Sequence, residues 1–136
     1  MRGLELMRLW AALGWALVGA AVWLSLGPTS AVESAWVLVP FPYHDKFGHF
    51  IAYTAMMLWF SGLFRRDLHL LVAQYLFLLG LLLELTQGAL GHRQADFGDL
   101  VANTAGIATG LLLARAGLEH WCLWVERALG MRRGRA

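Results

Sequence analysis

The chain has 136 residues, of which 59% are hydrophobic and 15% charged, and its formal net charge is +2. Soluble domains carry about 25% charged residues, so this balance favours a membrane protein over a soluble core, and the length suits one domain. The lone Cys122 excludes an intramolecular disulfide and a cysteine metal cage.

Four apolar stretches follow one another: Leu9 to Leu26, Phe47 to Phe64, Leu70 to Leu90 and Leu100 to Leu118. About 20 apolar residues cross the hydrocarbon layer as a helix, the form expected where lipid offers the backbone no hydrogen-bond partners. The chain therefore reads as all-α. Residues 1–136 are expected to form one transmembrane domain, with four spans in a compact bundle and a short C-terminal amphipathic helix. The first stretch follows Arg2 and Arg8, as the core of a signal peptide would. It outruns the usual core of about 7 to 15 residues, so it is read as a retained span.

Gly27 to His44 reads as a loop with Pro28, Pro40 and Pro42, and its apolar run Ala35 to Val39 is too short to cross. Trp10, Trp36 and Trp59 fall near expected interfaces, where an indole keeps its ring in lipid and its N–H wet. Trp15 is expected to pack internally. Beyond the fourth stretch, Leu118, Trp121, Cys122, Val125 and Leu129 recur at helical spacing, with Glu119, Glu126 and Arg127 on other faces. That pattern predicts an amphipathic helix over about 119–130 on the inner leaflet. The tail Met131 to Ala136 is basic and suits anionic headgroups; no nucleic-acid partner is expected.

Charge placement orients the spans. With the N-terminus inside, Arg2, Arg8, Arg65, Arg66, Arg115, Arg127, Arg132, Arg133 and Arg135 are cytoplasmic, while Lys46 and Arg93 are outside. This positive-inside pattern puts both termini in the cytoplasm. It also brings the polar start of the second span, the end of the third and the start of the fourth to the outer face.

Helical spacing groups the polar residues. Asp45, His49 and Tyr53 share a face, and Lys46 joins it through His49. Glu84 and Gln87 face together. On the fourth span, Asp96, Asp99, Asn103, Gly106 and Gly110 form one stripe. The glycines, continued by Ala114, admit close approach of another helix, and the same stripe would accept a second copy of the chain. The expectation is a polar pocket opening outward. Glu84, well inside a span end, should have a partner among Arg93, Lys46 and His49.

These motifs resemble those of the VanZ-like family of small bacterial polytopic membrane proteins. Asp45-Lys46-x-x-His49-Phe50-x-x-Tyr53 is similar to the family's first signature. Glu84-Leu85-x-Gln87, then Arg93 with Asp96, then Asp99-Leu100-x-x-Asn103-x-x-Gly106 follow in order. The resemblance covers roughly Phe41 to Leu113. It implies the bacterial cytoplasmic membrane and the cell envelope. The family takes its name from a member linked to teicoplanin resistance, which suggests an effect on glycopeptide susceptibility but implies no agreed reaction.

Three functional readings follow from the residues. In the first, the site binds or modifies a lipid-linked or phosphate-bearing envelope component. Lys46 and Arg93 would hold the phosphate, and Tyr53, Gln87, Asp96, Asp99 and Asn103 would complete the binding set. His49 would serve as general base or nucleophile, oriented by Asp45 or Glu84, which makes these three the catalytic candidates. No complete hydrolase or transferase motif is present, so enzyme activity stays open. In the second reading the same residues bind a lipid headgroup, wall precursor or glycopeptide without catalysis. In the third, His44, Asp45, His49, Glu84, His92, Asp96 and Asp99 approach a divalent metal. No dense signature such as H-E-x-x-H appears, so no metal ligand is assigned and no cofactor is named.

Each residue also has a purely structural reading. Asp45, Lys46, Arg93 and Asp96 would tie loops to helix ends, and Asp99 would cap a helix. Asn103 would join helices, Tyr53 would pack as an aromatic, and His69 and His120 would lie at the interface. A channel or transporter fits less well, because the polar residues gather at one end only.

Overall fold

A computed structural model describes residues 4–27, 44–90 and 96–131. Among these the chain is all-α: α1 (Met7–Leu26), α2 (His44–Leu63), α3 (His69–Leu90), α4 (Phe97–Arg115) and α5 (Trp121–Ala128). Short 3-10 turns at Arg66–Leu68 and Leu118–His120 lead into α3 and α5. Arg2, Trp36, His92, Arg93 and the 132–136 tail lie outside the described residues.

The helix ends follow local chemistry. Asp96 caps α4: its side chain accepts the Gly98 N–H at 2.7 Å and its carbonyl accepts the Asp99 N–H at 3.0 Å. The cap starts α4 at Phe97, three residues before the apolar run. α4 stops at Arg115 because Gly117 takes φ +120°, a conformation that side-chain-bearing residues rarely adopt.

Three helices, Met7–Leu26, Arg66–Ala89 and Phe97–Arg115, are long and apolar enough to cross a membrane. Their outward faces carry exposed Trp15, Tyr75, Leu82, Leu85 and Leu112, an apolar exterior of the kind lipid covers. α2, the second of the four expected spans, is as long as α1 at 20 residues. Its first turns hold Asp45, Lys46 and His49, which lower its hydropathy. It packs most extensively on α4 and also contacts α1 and α3. Tyr53, Met56, Met57, Ser61 and Leu63 are all buried along it. A helix so enclosed can carry polar residues that lipid-facing helices cannot.

The α2–α4 contact is made backbone to backbone. A Cβ on Gly106 would fall 2.4 Å from the Phe50 carbonyl oxygen, and one on Gly110 would fall 2.7 Å from the Met57 Cβ. Only glycine fits there. Thr54 ties the seam by donating its hydroxyl to the carbonyls of Phe50 at 2.8 Å and Gly106 at 3.1 Å. The glycine face that could admit a second copy is occupied here by α2.

The opposite end departs from its sequence reading. Trp10 is 8% exposed, and its indole N–H donates to Glu126 at 3.0 Å instead of facing water. It meets Trp59 and Trp121 at ring separations of 6.1 and 5.3 Å. Trp15, expected to pack, is 67% exposed. α5 turns a carboxylate inward: Glu126 is fully buried and also accepts the Glu5 and Leu6 N–H groups at 3.1 and 3.0 Å. These are free donors at the start of α1, where a carboxylate is favoured. His69, expected at the interface, is fully buried, with Nδ1 3.6 Å from a carboxylate oxygen of buried Glu119. His120 is 45% exposed, as an interfacial residue would be. An apolar cleft of about 590 Å3 runs between α1, the end of α2 and the start of α3.

Candidate functional site

The site lies at the other end, where the start of α2, the end of α3 and the start of α4 converge. α2 supplies Lys46, His49 and Tyr53 from successive turns of one face. α3 supplies Glu84, and α4 supplies Asp96, Asp99 and Asn103.

Lys46 forms the outer edge. Its ammonium bonds Asp96 and reaches Asp99 Oδ1 at 3.0 Å. Asp96 stands in the open, and the Lys46 hydrogen bond, followed by the Gly98 N–H, holds its carboxyl below the usual carboxylate range. One cation thus bridges the cap of α4 and its first turn. Solvent screens an exposed pair of this kind, so the link positions more than it stabilises.

His49 lies one turn deeper. Its Nδ1 is 3.0 Å from the Asn103 amide oxygen. That oxygen can only accept, so Nδ1 carries the proton and donates. Nε2 stands 3.7 Å from Asp99 Oδ2, beyond hydrogen-bond reach. The imidazole is therefore oriented by Asn103, whereas the sequence offered Asp45 and Glu84 for that role. Asp45 sits half-buried in the first turn of α2.

Glu84 is 5% exposed. Its Oε2 accepts the Asp96 N–H at 3.2 Å, which joins α3 to the cap of α4. Its Oε1 finds no hydrogen-bond partner among the described residues. Of the partners expected for it, His49 comes near: His49, Glu84 and Asp99 each bring a donor atom within 4.8 Å of the others. Lys46 is committed to Asp96 and Asp99, and Arg93 lies outside the described residues.

Tyr53 forms the floor. It is 2% exposed, and its hydroxyl has no hydrogen-bond partner among the described residues. Gly80 of α3 makes room there: a Cβ at that position would lie 3.1 Å from the Tyr53 hydroxyl and 3.0 Å from Asn103 Nδ2. Gln87 points away from this group. It donates to the Ser25 carbonyl at 2.6 Å and so pins α3 to the end of α1. The side chain of His44 and all of His92 lie outside the described side chains. Sequence reasoning missed Thr54 and Gly80, which shape the site without entering it. Gly80 gave a usable signal as a small residue one turn before Glu84, on the same side of α3.

These features define a small all-α protein whose apolar helices fit a membrane and carry a partly buried polar site at one end. The chain belongs to the VanZ/LLP1 family, whose model matches residues 8–119. That span takes in every described site residue, and it extends beyond the motifs to most of α1. No curated protein and no solved structure matches the chain.

Proposed function

We propose that the chain is a multi-pass protein of the bacterial cytoplasmic membrane, with four spans and both termini cytoplasmic. Its site would face outward and bind the headgroup of a lipid-linked, phosphate-bearing envelope component. The arginine distribution supports the orientation, and the enclosure of α2 supports counting it as a span beside α1, α3 and α4.

The observation that carries the reading is a pair of buried groups with no hydrogen-bond partner among the described residues, Tyr53 Oη and Glu84 Oε1. Each such group costs about 1–3 kcal/mol when left unsatisfied. Two of them beside Lys46, His49 and Asn103 are hydrogen-bonding capacity for a ligand. The Tyr53 hydroxyl supplies a donor to a phosphate oxygen, and Lys46 at the edge supplies charge. Arg93, in the connecting loop, would add a bidentate contact.

Binding without catalysis is favoured by the orientation of His49. An amide holds its Nδ1, where a carboxylate would stabilise the imidazolium formed during general-base catalysis. An effect on glycopeptide susceptibility would then arise from holding an envelope precursor. The test is to mix purified protein with polyprenyl phosphate and with phospholipids. Saturable binding of the polyprenyl phosphate supports the reading, and absence of both binding and turnover overturns it. His49→Gln, assayed with a chelator present, separates the two mechanisms: a binder keeps much of its affinity, whereas turnover by a general base collapses.

A further inference from the structure

We infer that His49, Glu84 and Asp99 form a divalent-cation site of the zinc or manganese class. The inference rests on the reading of this end as a ligand-binding site and names the ion that would bridge protein and phosphate.

Three observations carry it. The first is the donor set: one imidazole and two carboxylates on three different helices, each with a ligand atom within 4.8 Å of the others. Ligands about 2.1 Å from a tetrahedral ion stand roughly 3.4 Å apart, so small side-chain adjustments close the set. A mixed imidazole and carboxylate set suits zinc or manganese better than calcium, which takes oxygen ligands.

The second is the state of Glu84. Its carboxylate is 5% exposed, and Oε1 has no hydrogen-bond partner among the described residues. A buried carboxylate is costly unless a cation or donor meets it. Lys46 is turned to Asp96 and Asp99 instead.

The third is the tautomer of His49. In its neutral form, His49 donates from Nδ1 to Asn103 and presents the Nε2 lone pair toward Asp99 Oδ2 at 3.7 Å. A lone pair and a carboxylate oxygen at that separation repel each other unless a proton or a metal cation lies between them. An amide acceptor on the far nitrogen is the arrangement that fixes metal-binding imidazoles. Described charges at this end are Asp45, Glu84, Asp96 and Asp99 against Lys46, so the site favours a cation before it favours an anion. A bound cation would in turn accept a phosphate oxygen at an open position.

The experiment uses the full chain in detergent, stripped of metal and then titrated separately with zinc and with manganese in the absence of lipid. One ion per chain is expected, together with a rise in thermal midpoint. Glu84→Gln and His49→Gln should weaken binding at least about 100-fold, and Asn103→Leu about 10- to 100-fold. Asp67→Asn, an exposed acid at the other end, should bind as wild type does. Glu84→Gln also guards against misfolding as an explanation: without metal its midpoint should equal or exceed that of wild type, because a buried charge has been removed. The inference is overturned if wild type binds no stoichiometric ion, or if Glu84→Gln and His49→Gln bind as tightly as wild type. Polyprenyl phosphate binding, measured with and without metal, keeps the two claims apart. Lipid binding without any metal site removes the ion alone, and metal binding without lipid binding removes the lipid alone.

Discussion

Gly106→Ala tests the packing that brings α2 and α4 together. The added methyl would sit 2.4 Å from the Phe50 carbonyl oxygen and 3.2 Å from the Thr54 nitrogen. Both obstacles are backbone atoms, which cannot swing aside, so the helices must separate. Overpacking of this kind costs about 1–3 kcal/mol, and the rigid obstacle argues for the upper half of that range. Separation also stretches the Thr54 hydrogen bond to the Gly106 carbonyl, worth about 0.6 kcal/mol. The control is Gly19→Ala on α1, where a Cβ meets nothing within 4 Å. Both variants gain the same helix propensity, up to about 1 kcal/mol, so it cancels in the comparison. Gly106→Ala should therefore be less stable than Gly19→Ala by about 2–4 kcal/mol. Equilibrium unfolding in mixed micelles, followed by tryptophan fluorescence, measures the difference. Equal stability within about 0.5 kcal/mol would refute the close helix contact.

Three other outcomes follow from the same structure. Glu126→Ala orphans the N–H groups of Glu5, Leu6 and Trp10, and should cost at least about 2 kcal/mol. Glu126→Gln, which keeps one acceptor oxygen, should cost about half as much, and unchanged hydrogen exchange at Glu5 and Leu6 in the alanine variant would contradict this. Because Lys46 lowers the Asp96 carboxyl, their link contributes stability above the ordinary carboxylate range, and that contribution is lost as pH falls through the lowered value. Lys46→Met should move the Asp96 titration, read by carboxyl NMR, back up toward the ordinary carboxylate range; identical titrations in both proteins would count against the pairing. Gln87→Leu removes the bond to the Ser25 carbonyl, so it should loosen the end of α1 while leaving ligand binding near wild type. A large loss of binding would return Gln87 to the site.

Much of the fold was legible because helical spacing and apolar run length are local properties. The Asp45–His49–Tyr53 face and the Asp96–Asp99–Asn103 stripe were readable for the same reason. Their meeting also followed, once charge counting placed three helix ends together. What sequence did not disclose was pairing across distance. Glu126 looked like the wet side of an amphipathic helix, yet it is buried because its partners are backbone N–H groups at the start of α1. Backbone donors leave no mark on the sequence. Glu119 and His69 each looked like an interfacial polar residue, and each is buried because the other lies beside it. Gln87 shares a helical face with Glu84, but its amide reaches a carbonyl on α1. The glycine stripe announced a close helix contact without naming the partner, which proved to be α2.

The central claim is that Tyr53 Oη and Glu84 Oε1, which have no hydrogen-bond partner among the described residues, serve a ligand. Tyr53→Phe tests it most directly, because it deletes one buried hydroxyl and leaves the ring in place. Stability without ligand and affinity for polyprenyl phosphate should be measured on the same preparation. The account predicts unchanged or higher stability, with affinity at least about 10-fold weaker, as befits a lost hydrogen bond to a charged group. Lower stability with unchanged affinity would contradict it and leave Tyr53 as a structural residue.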